Sequence, residues 1–339
     1  MNDSIAQIIL QQTNFKDDEK NMFNIKTANQ WMEEAKKCPV PKMLFGELWH
    51  EGELCFLFAD TNLGKSILAV QMANAISKGE SENYFTIEAA RQKVLYFDFE
   101  LSAKQFEKRY SADYSNHYIF DRDFIRIEIN TQYAGIGDFE NQLLIAIEHA
   151  VNEHQSKILI IDNVTFLKTQ STDTAKEALP LMNALISLKR KYGLSILALA
   201  HTPKRNAANP ITINDLAGSK HLGNFADSIF ALGNSYTLPN TRYIKQIKAR
   251  ATEIIYGADN VIVCGLEKNF NFLRFVAHNT QSEHLHLRRL TEDEMDSLDT
   301  QIITLYNENP TLSEREIARQ LNTNHVRVNR VLKRNGLKT

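Results

Sequence analysis

The residues best placed to do chemistry stand together at Gly64, Lys65 and Ser66. The stretch Ala59-Asp60-Thr61-Asn62-Leu63-Gly64-Lys65-Ser66 has the spacing G-x-x-x-x-G-K-[ST] of a phosphate-binding loop, with Ala59 in place of the first glycine. Backbone N–H groups from Asn62 to Ser66 can form an anion nest where a helix begins. Lys65 would reach the terminal phosphates of a nucleoside triphosphate such as ATP, and the Ser66 hydroxyl would ligate Mg²⁺. The expected nucleotide contacts are Asn62, Leu63, Gly64, Lys65, Ser66 and Ile67. An ordinary glycine turn beside a lysine would show the same letters. An apolar run before the loop and an amphipathic run after it argue against that alternative.

Hydrolysis needs a metal-holding acid and a group that positions water. Asp162 closes the apolar run KILII and is the expected Mg²⁺ acid; a turn cap is the alternative. Glu100 closes KVLYFDF and is the expected catalytic carboxylate. Asp98 competes with it, and strand alternation would put both on one face, with Asp98 deeper. His201 ends SILALA, where it can sense the terminal phosphate or serve as a buried, satisfied histidine; both stay open. Lys248 and Arg250 would project together from a strand and neutralise phosphoryl charge, in this or a neighbouring subunit. The plainer alternative is a solvated basic edge.

These residues need elements to hold them. Apolar runs at 53–59, 93–99, 124–129, 157–161 and 195–200 read as strands. They alternate with helical stretches at 65–78, 102–110, 138–153 and 174–192. That alternation predicts an α/β fold with a mostly parallel central sheet covered on both faces. Four shorter strands, at 227–232, 243–248, 260–266 and 271–277, have hairpin-like spacing. A short helix is expected over 27–37. Four divisions follow: an N-terminal arm and short helix (1–44), the ATPase domain (45–280), a polar linker (281–294) and an all-helical domain (295–339).

In the last segment, Ser313 and Glu316 make a capping-box pattern, Ile317, Ala318 and Leu321 an apolar face, and Asn322-Thr323-Asn324 a turn. Val326, Val328 and Val331 are expected in the packing. Arg327, Arg330, Lys333 and Arg334 would form a basic face on the second helix of a helix-turn-helix, suited to DNA. A helical hairpin used for packing is the alternative. The net charge of −2 removes any case for nucleic-acid binding from composition alone, but the charge is uneven. From 311 to 339 seven Lys and Arg residues face only Glu314 and Glu316. The three cysteines have no metal or disulfide spacing, and Cys55 and Cys264 read as small buried hydrophobes. No run is long enough to span a membrane and the N-terminus has no secretory pattern, so a cytoplasmic protein is expected.

With these motifs in order, residues 45–277 resemble the RecA-like P-loop ATPase superfamily. The nearest branch holds the plasmid replicative helicase RepA and the DnaB-type ring helicases. Ala59–Ser66 matches its Walker A segment and Ile158–Asp162 its Walker B strand. Phe97–Leu101 is similar to the segment supplying the catalytic glutamate, with Arg109 where the following helix commonly carries arginine. Ala200–Lys204 resembles the strand-end sensor. Asp215–Lys220, followed by Ala226-Asp227, resembles the segment facing the DNA channel. Lys248-Ala249-Arg250 resembles the basic fingers that act on a neighbour's ATP. The resemblance implies a homo-oligomer, most often a hexameric ring, that couples ATP hydrolysis to movement on single-stranded DNA. Three functions are compatible with this sequence: a DNA-associated motor, an ATP-regulated site-specific DNA-binding protein, and a protein-remodelling ATPase.

Overall fold

The computed structural model describes residues 23–130, 132, 139–167, 175–203, 205–217, 219–289 and 291–338. The expected arm before residue 23, Lys204 and Gly218 lie outside the described residues, as do the expected first residues of two helices, Asp138 and Thr174. Residues up to Pro41 form one unit and Lys42–Thr339 another. In the first, α1 (Ala28–Ala35) is started by a capping box in which Thr27 accepts from the Gln30 amide, and it buries no residue.

The second unit is built on a nine-stranded sheet. Its strands are β1 (Leu54–Ala59), β2 (Val94–Asp98), β5 (Phe124–Ile127), β6 (Ile158–Asp162), β7 (Ser195–His201), β8 (Ser228–Asn234), β9 (Thr241–Ala249), β10 (Val261–Asn269) and β11 (Phe272–Gln281). The order across the sheet is β11-β10-β9-β8-β1-β7-β6-β2-β5; β3 (Ser111–Ala112) and β4 (Asn116–His117) form a separate small hairpin. From β8 to β5 every neighbouring pair is parallel. The hairpin-like spacing of the last four strands holds, with β8–β9, β9–β10 and β10–β11 antiparallel; on its other side β8 runs parallel beside β1. A crossover through α6 (Ser219–Phe225), shorter than sequence spacing favours, makes that parallel return.

Every residue of β1, β2 and β6 is buried, as expected of parallel strands covered on both faces. Alternation divides them between two cores. Cys55, Leu57 and Ala59 pack with α2 (Lys65–Lys78), while Leu54, Phe56 and Phe58 pack with α4 (Phe139–His154) and α5 (Ala175–Tyr192). The sequence suggests one apolar stripe on α2. Instead all its residues except Ser66 and Lys78 are buried, because β11 folds over its outer side. Gln71 holds the lid in place, accepting from the Phe275 amide at 2.9 Å and donating to the Phe275 carbonyl at 3.0 Å. α3 (Ala103–Arg109) follows β2 and starts on the expected Ser102 cap.

The segment read as a polar linker is partly interior. Glu283 is fully buried, accepting from the Ile211 amide at 2.7 Å, from the Tyr243 hydroxyl at 3.1 Å and from Lys245. The lysine that compensates its charge lies 38 residues away on β9, where sequence order alone does not reveal it. Beyond it come α7 (Glu292–Glu308), α8 (Glu314–Gln320) and α9 (His325–Arg334). Ile302, Ile317, Ala318, Val328, Val331 and Leu332 form their own core. Ser313 caps α8 in a capping box and Asn324 caps α9. Val326 does not join the packing: it is 64% exposed, on the side of α9 turned away from Val328 and Val331.

Candidate active site

The parallel strands end together, and Lys65, Ser66, Glu100, Asp162 and His201 meet along that edge. β1 runs into the loop, in which Asn62 has φ +65° and Gly64 φ +102°. Gly64 is required twice over. Its φ lies where side chains are strained, and an added Cβ would sit 2.9 Å from the Phe275 ring. Ala59 has no such constraint. It is the last residue of β1, buried, and free of positive φ, so the missing first glycine leaves the loop intact. The Ile67 amide donates to the Gly64 carbonyl, so of the expected contacts this one closes the first turn of α2.

Lys65 is buried and its ammonium donates to the Ala59 carbonyl (3.0 Å) and to His201 Nδ1 (3.3 Å). Burial pulls its pKa down, while Glu100, Asp162 and Asp60 pull it back up. An ammonium has no acceptor, so His201 Nδ1 must accept and the ring proton of a neutral imidazole sits on Nε2. Nε2 lies 3.1 Å from Glu100 Oε1. The same oxygen accepts from Asn163 Nδ2 at 2.9 Å. Lys65, His201, Glu100 and Asn163 thus form one chain from the start of α2 and three strand ends. The hydrogen bond from His201 is the main cause holding the Glu100 pKa below the usual carboxylate value, so the group is an anion able to orient water.

Asp162 lies deeper. Its Oδ2 accepts from the Tyr96 hydroxyl at 2.6 Å, and the nearby Ser66 hydroxyl favours its charged form. Its Oδ1 is buried with no partner. Burial pushes its pKa up to about 6. A buried carboxylate oxygen left open beside the loop serine fits a divalent cation, so Ser66 and Asp162 are the residues that would hold Mg²⁺. Bound there, the ion would neutralise phosphate charge.

Asp98 and Glu100 are not on one strand face. β2 ends at Asp98, and Glu100 sits in the bend beyond it. The Asp98 side chain is fully buried against Arg126, which leaves the more accessible Glu100 for chemistry. Lys248 and Arg250 lie instead at the opposite edge of the sheet, where β8 and β1 begin, since Ala249 pairs with Ser228 and Ser228 with Cys55. Lys248 Nζ donates to the Gly223 (2.8 Å) and Ala226 (2.7 Å) carbonyls at the end of α6, and Arg250 pairs with Asp227 at 3.0 Å. Arg250 keeps 57% of its side chain exposed. Asp227 also takes the Leu54 amide and Lys189, so it fixes β8 to β1. Arg109 borders a cleft of about 520 Å³ with Lys108, Lys268 and Leu273, where α3 meets the β10–β11 hairpin. Leu273 is two residues from Phe275, which lies under Gly64.

In the C-terminal helices the expected basic face divides. Arg327 is buried, donating from Nε (3.2 Å) and Nη2 (2.9 Å) to Asp299 Oδ1 on α7, and Arg334 donates to Asp299 Oδ2 at 2.7 Å. Arg330 and Lys333 are exposed. Sequence reasoning missed Asn163, Tyr96 and Arg126. Asn163 had a signal, being adjacent to Asp162; Tyr96 and Arg126 had none, since only strand pairing brings them to the edge.

A glycine-cradled helix start, a buried metal-type acid, and a third strand carrying His201 between those of the loop and the acid define a P-loop ATPase of the RecA-like arrangement. The chain belongs to the AAA domain family, whose sequence model matches residues 22–207. Among solved structures it is similar to the KaiC-like protein PH0186 from the hyperthermophilic archaeon Pyrococcus horikoshii OT3. Identity is 16% over 67% of this chain and 91% of that one, with a TM-score of 0.43. No curated protein matches the sequence. Among the described residues no helix is long and apolar enough to cross a membrane.

Proposed function

We propose that this chain is an ATP-hydrolysing, DNA-associated motor of the ring-forming helicase or translocase type, serving a plasmid or mobile element. The observation that carries the ATPase is the hydrogen-bonded chain Lys65–His201–Glu100, which joins the phosphate-binding group to the water-orienting one. A terminal phosphate drawing Lys65 away from His201 would alter the bond that holds Glu100, so binding and turnover share one set of contacts. Lys65 and the loop amides take the phosphates, Ser66 and Asp162 the Mg²⁺. The cleft beside Arg109 is the candidate for the nucleoside, because Leu273 in its lining is two residues from Phe275 under Gly64. Arg250, half exposed at the strand end, is the group offered to ATP in a neighbouring subunit of a hexameric ring; Lys248 supports the turn beneath it.

DNA enters through Arg330 and Lys333 on α9, the second helix of a capped helix-turn-helix. That module favours a second reading, an ATP-regulated protein that binds a specific duplex site without unwinding it. One experiment separates the two. ATPase activity stimulated by single-stranded DNA, with Lys65-dependent unwinding of a forked duplex, supports the motor. A discrete duplex footprint without stimulation or unwinding supports the regulator. If neither form of DNA binds or stimulates, both give way to a protein-remodelling ATPase.

A further inference from the structure

Glu100 is held by its side chain through Asn163 and His201, but its backbone is set from elsewhere. The Asp98 carboxylate is fully buried, and its Oδ1 accepts from the amides of Glu100 (3.2 Å) and Leu101 (2.9 Å). Its Oδ2 accepts from Arg126 Nε at 2.9 Å. Arg126 also donates from Nη2 to the Leu101 carbonyl at 2.8 Å. The bend that bears Glu100 is therefore gripped by a carboxylate on its two amides and by a guanidinium on the following carbonyl. The guanidinium carbon stands 4.5 Å over the Phe106 ring of α3, and a further arm pairs with Glu128. Arg126 comes from β5, the edge strand, where it is registered opposite Tyr96, whose hydroxyl holds Asp162.

We infer that Arg126, acting through Asp98, is a positioning residue for Glu100 and sets the rate of the hydrolytic step without touching nucleotide. The planar fork is what the place requires. One nitrogen meets the carboxylate while another reaches the carbonyl, at a separation fixed by the guanidinium plane. A lysine carries the same charge but cannot span both acceptors in a fixed geometry. A general base misplaced by about 1 Å can lose on the order of 100-fold in rate. The inference rests on Glu100 being the water-orienting residue, and its test separates the two claims.

The experiment compares steady-state ATPase, MgADP affinity by calorimetry and thermal melting for the full-length protein and the variants Arg126→Lys, Asp98→Asn, Glu100→Gln and Glu100→Gln/Arg126→Lys. The expected result for Arg126→Lys is MgADP affinity and KM near those of the parent, with kcat lower by about 10- to 100-fold. In the Glu100→Gln background the second substitution should remove nothing further, because there is no carboxylate left to position. A parental kcat in Arg126→Lys beside an inactive Glu100→Gln overturns the positioning role alone. Parental turnover by Glu100→Gln overturns the reading beneath it. Affinity and turnover falling together in Arg126→Lys would make the residue structural and also overturn the inference. If that variant does not fold, Asp98→Asn, which keeps an acceptor for the amides and drops the charge that recruits Arg126, decides by the same three readouts.

Discussion

Asp162 and Asp299 are both buried or nearly buried aspartates, each beside a conspicuous basic or hydroxyl-bearing helix, yet they do opposite things. Asp299 has both oxygens filled by cations, Arg327 on one and Arg334 on the other, and it ties α7 to α9. Asp162 has hydroxyls for company and one oxygen with no partner at all. A satisfied buried charge is architecture. An unsatisfied one beside a phosphate-type loop is, on the proposed reading, the place for a ligand, since an incoming ion recovers stability that leaving it open costs. The same contrast separates Lys248, tied to the end of α6, from Lys65, whose contacts can be exchanged for phosphate oxygens.

The sharpest way to break this comparison is to remove the exchangeable cation. Lys65→Ala should lower ATP turnover by at least about 1,000-fold while leaving the melting temperature near that of the parent, because the ammonium serves phosphate more than the fold. Turnover above a tenth of the parent's would put Lys65 on the structural side. Glu100→Gln comes next, with MgATP still bound in an equilibrium assay and kcat down by roughly 100- to 10,000-fold. Substantial hydrolysis by the purified variant would refute its role.

The structural side is tested by Arg327→Ala. It strands Asp299 with half its pairing and should destabilise the C-terminal helices by about 3–5 kcal/mol, read by denaturant unfolding, with kcat for ATP unchanged. Stable helices with lost DNA affinity would instead place Arg327 at the nucleic acid. The smallest effect belongs to Arg330→Ala. It should leave folding alone, weaken DNA binding only a few-fold, and flatten the salt dependence of that binding by about one unit of slope. An unaltered slope would take α9 away from the phosphates.

Much of the candidate site's edge was legible in the sequence because its parts are local. Gly64, Lys65 and Ser66 are contiguous, and Asp162 and His201 each close an apolar run, so strand ends could be read without knowing which strands touch. Glu100 could be read at the same edge for the same reason. The parallel pairing of β8 with β1 was not legible, because the crossover that returns the chain there carries a helix of only seven residues.

The basic face of α9 shows the limit most clearly. Spacing placed Arg327, Arg330 and Arg334 on one side of a helix, and it could not know that α7 would bring Asp299 against that side.

Chain-local order, then, was written in the residues themselves: a strand giving way to a glycine turn and a helix carries its phosphate-binding geometry wherever it folds. Which charges remained open and which were consumed depended on partners tens of residues distant. Arg126 reaches Asp98, Lys245 reaches Glu283 and Arg327 reaches Asp299 only after strands and helices pack. Pairing energy between charges depends on distance and burial in space, and separation along the chain encodes neither.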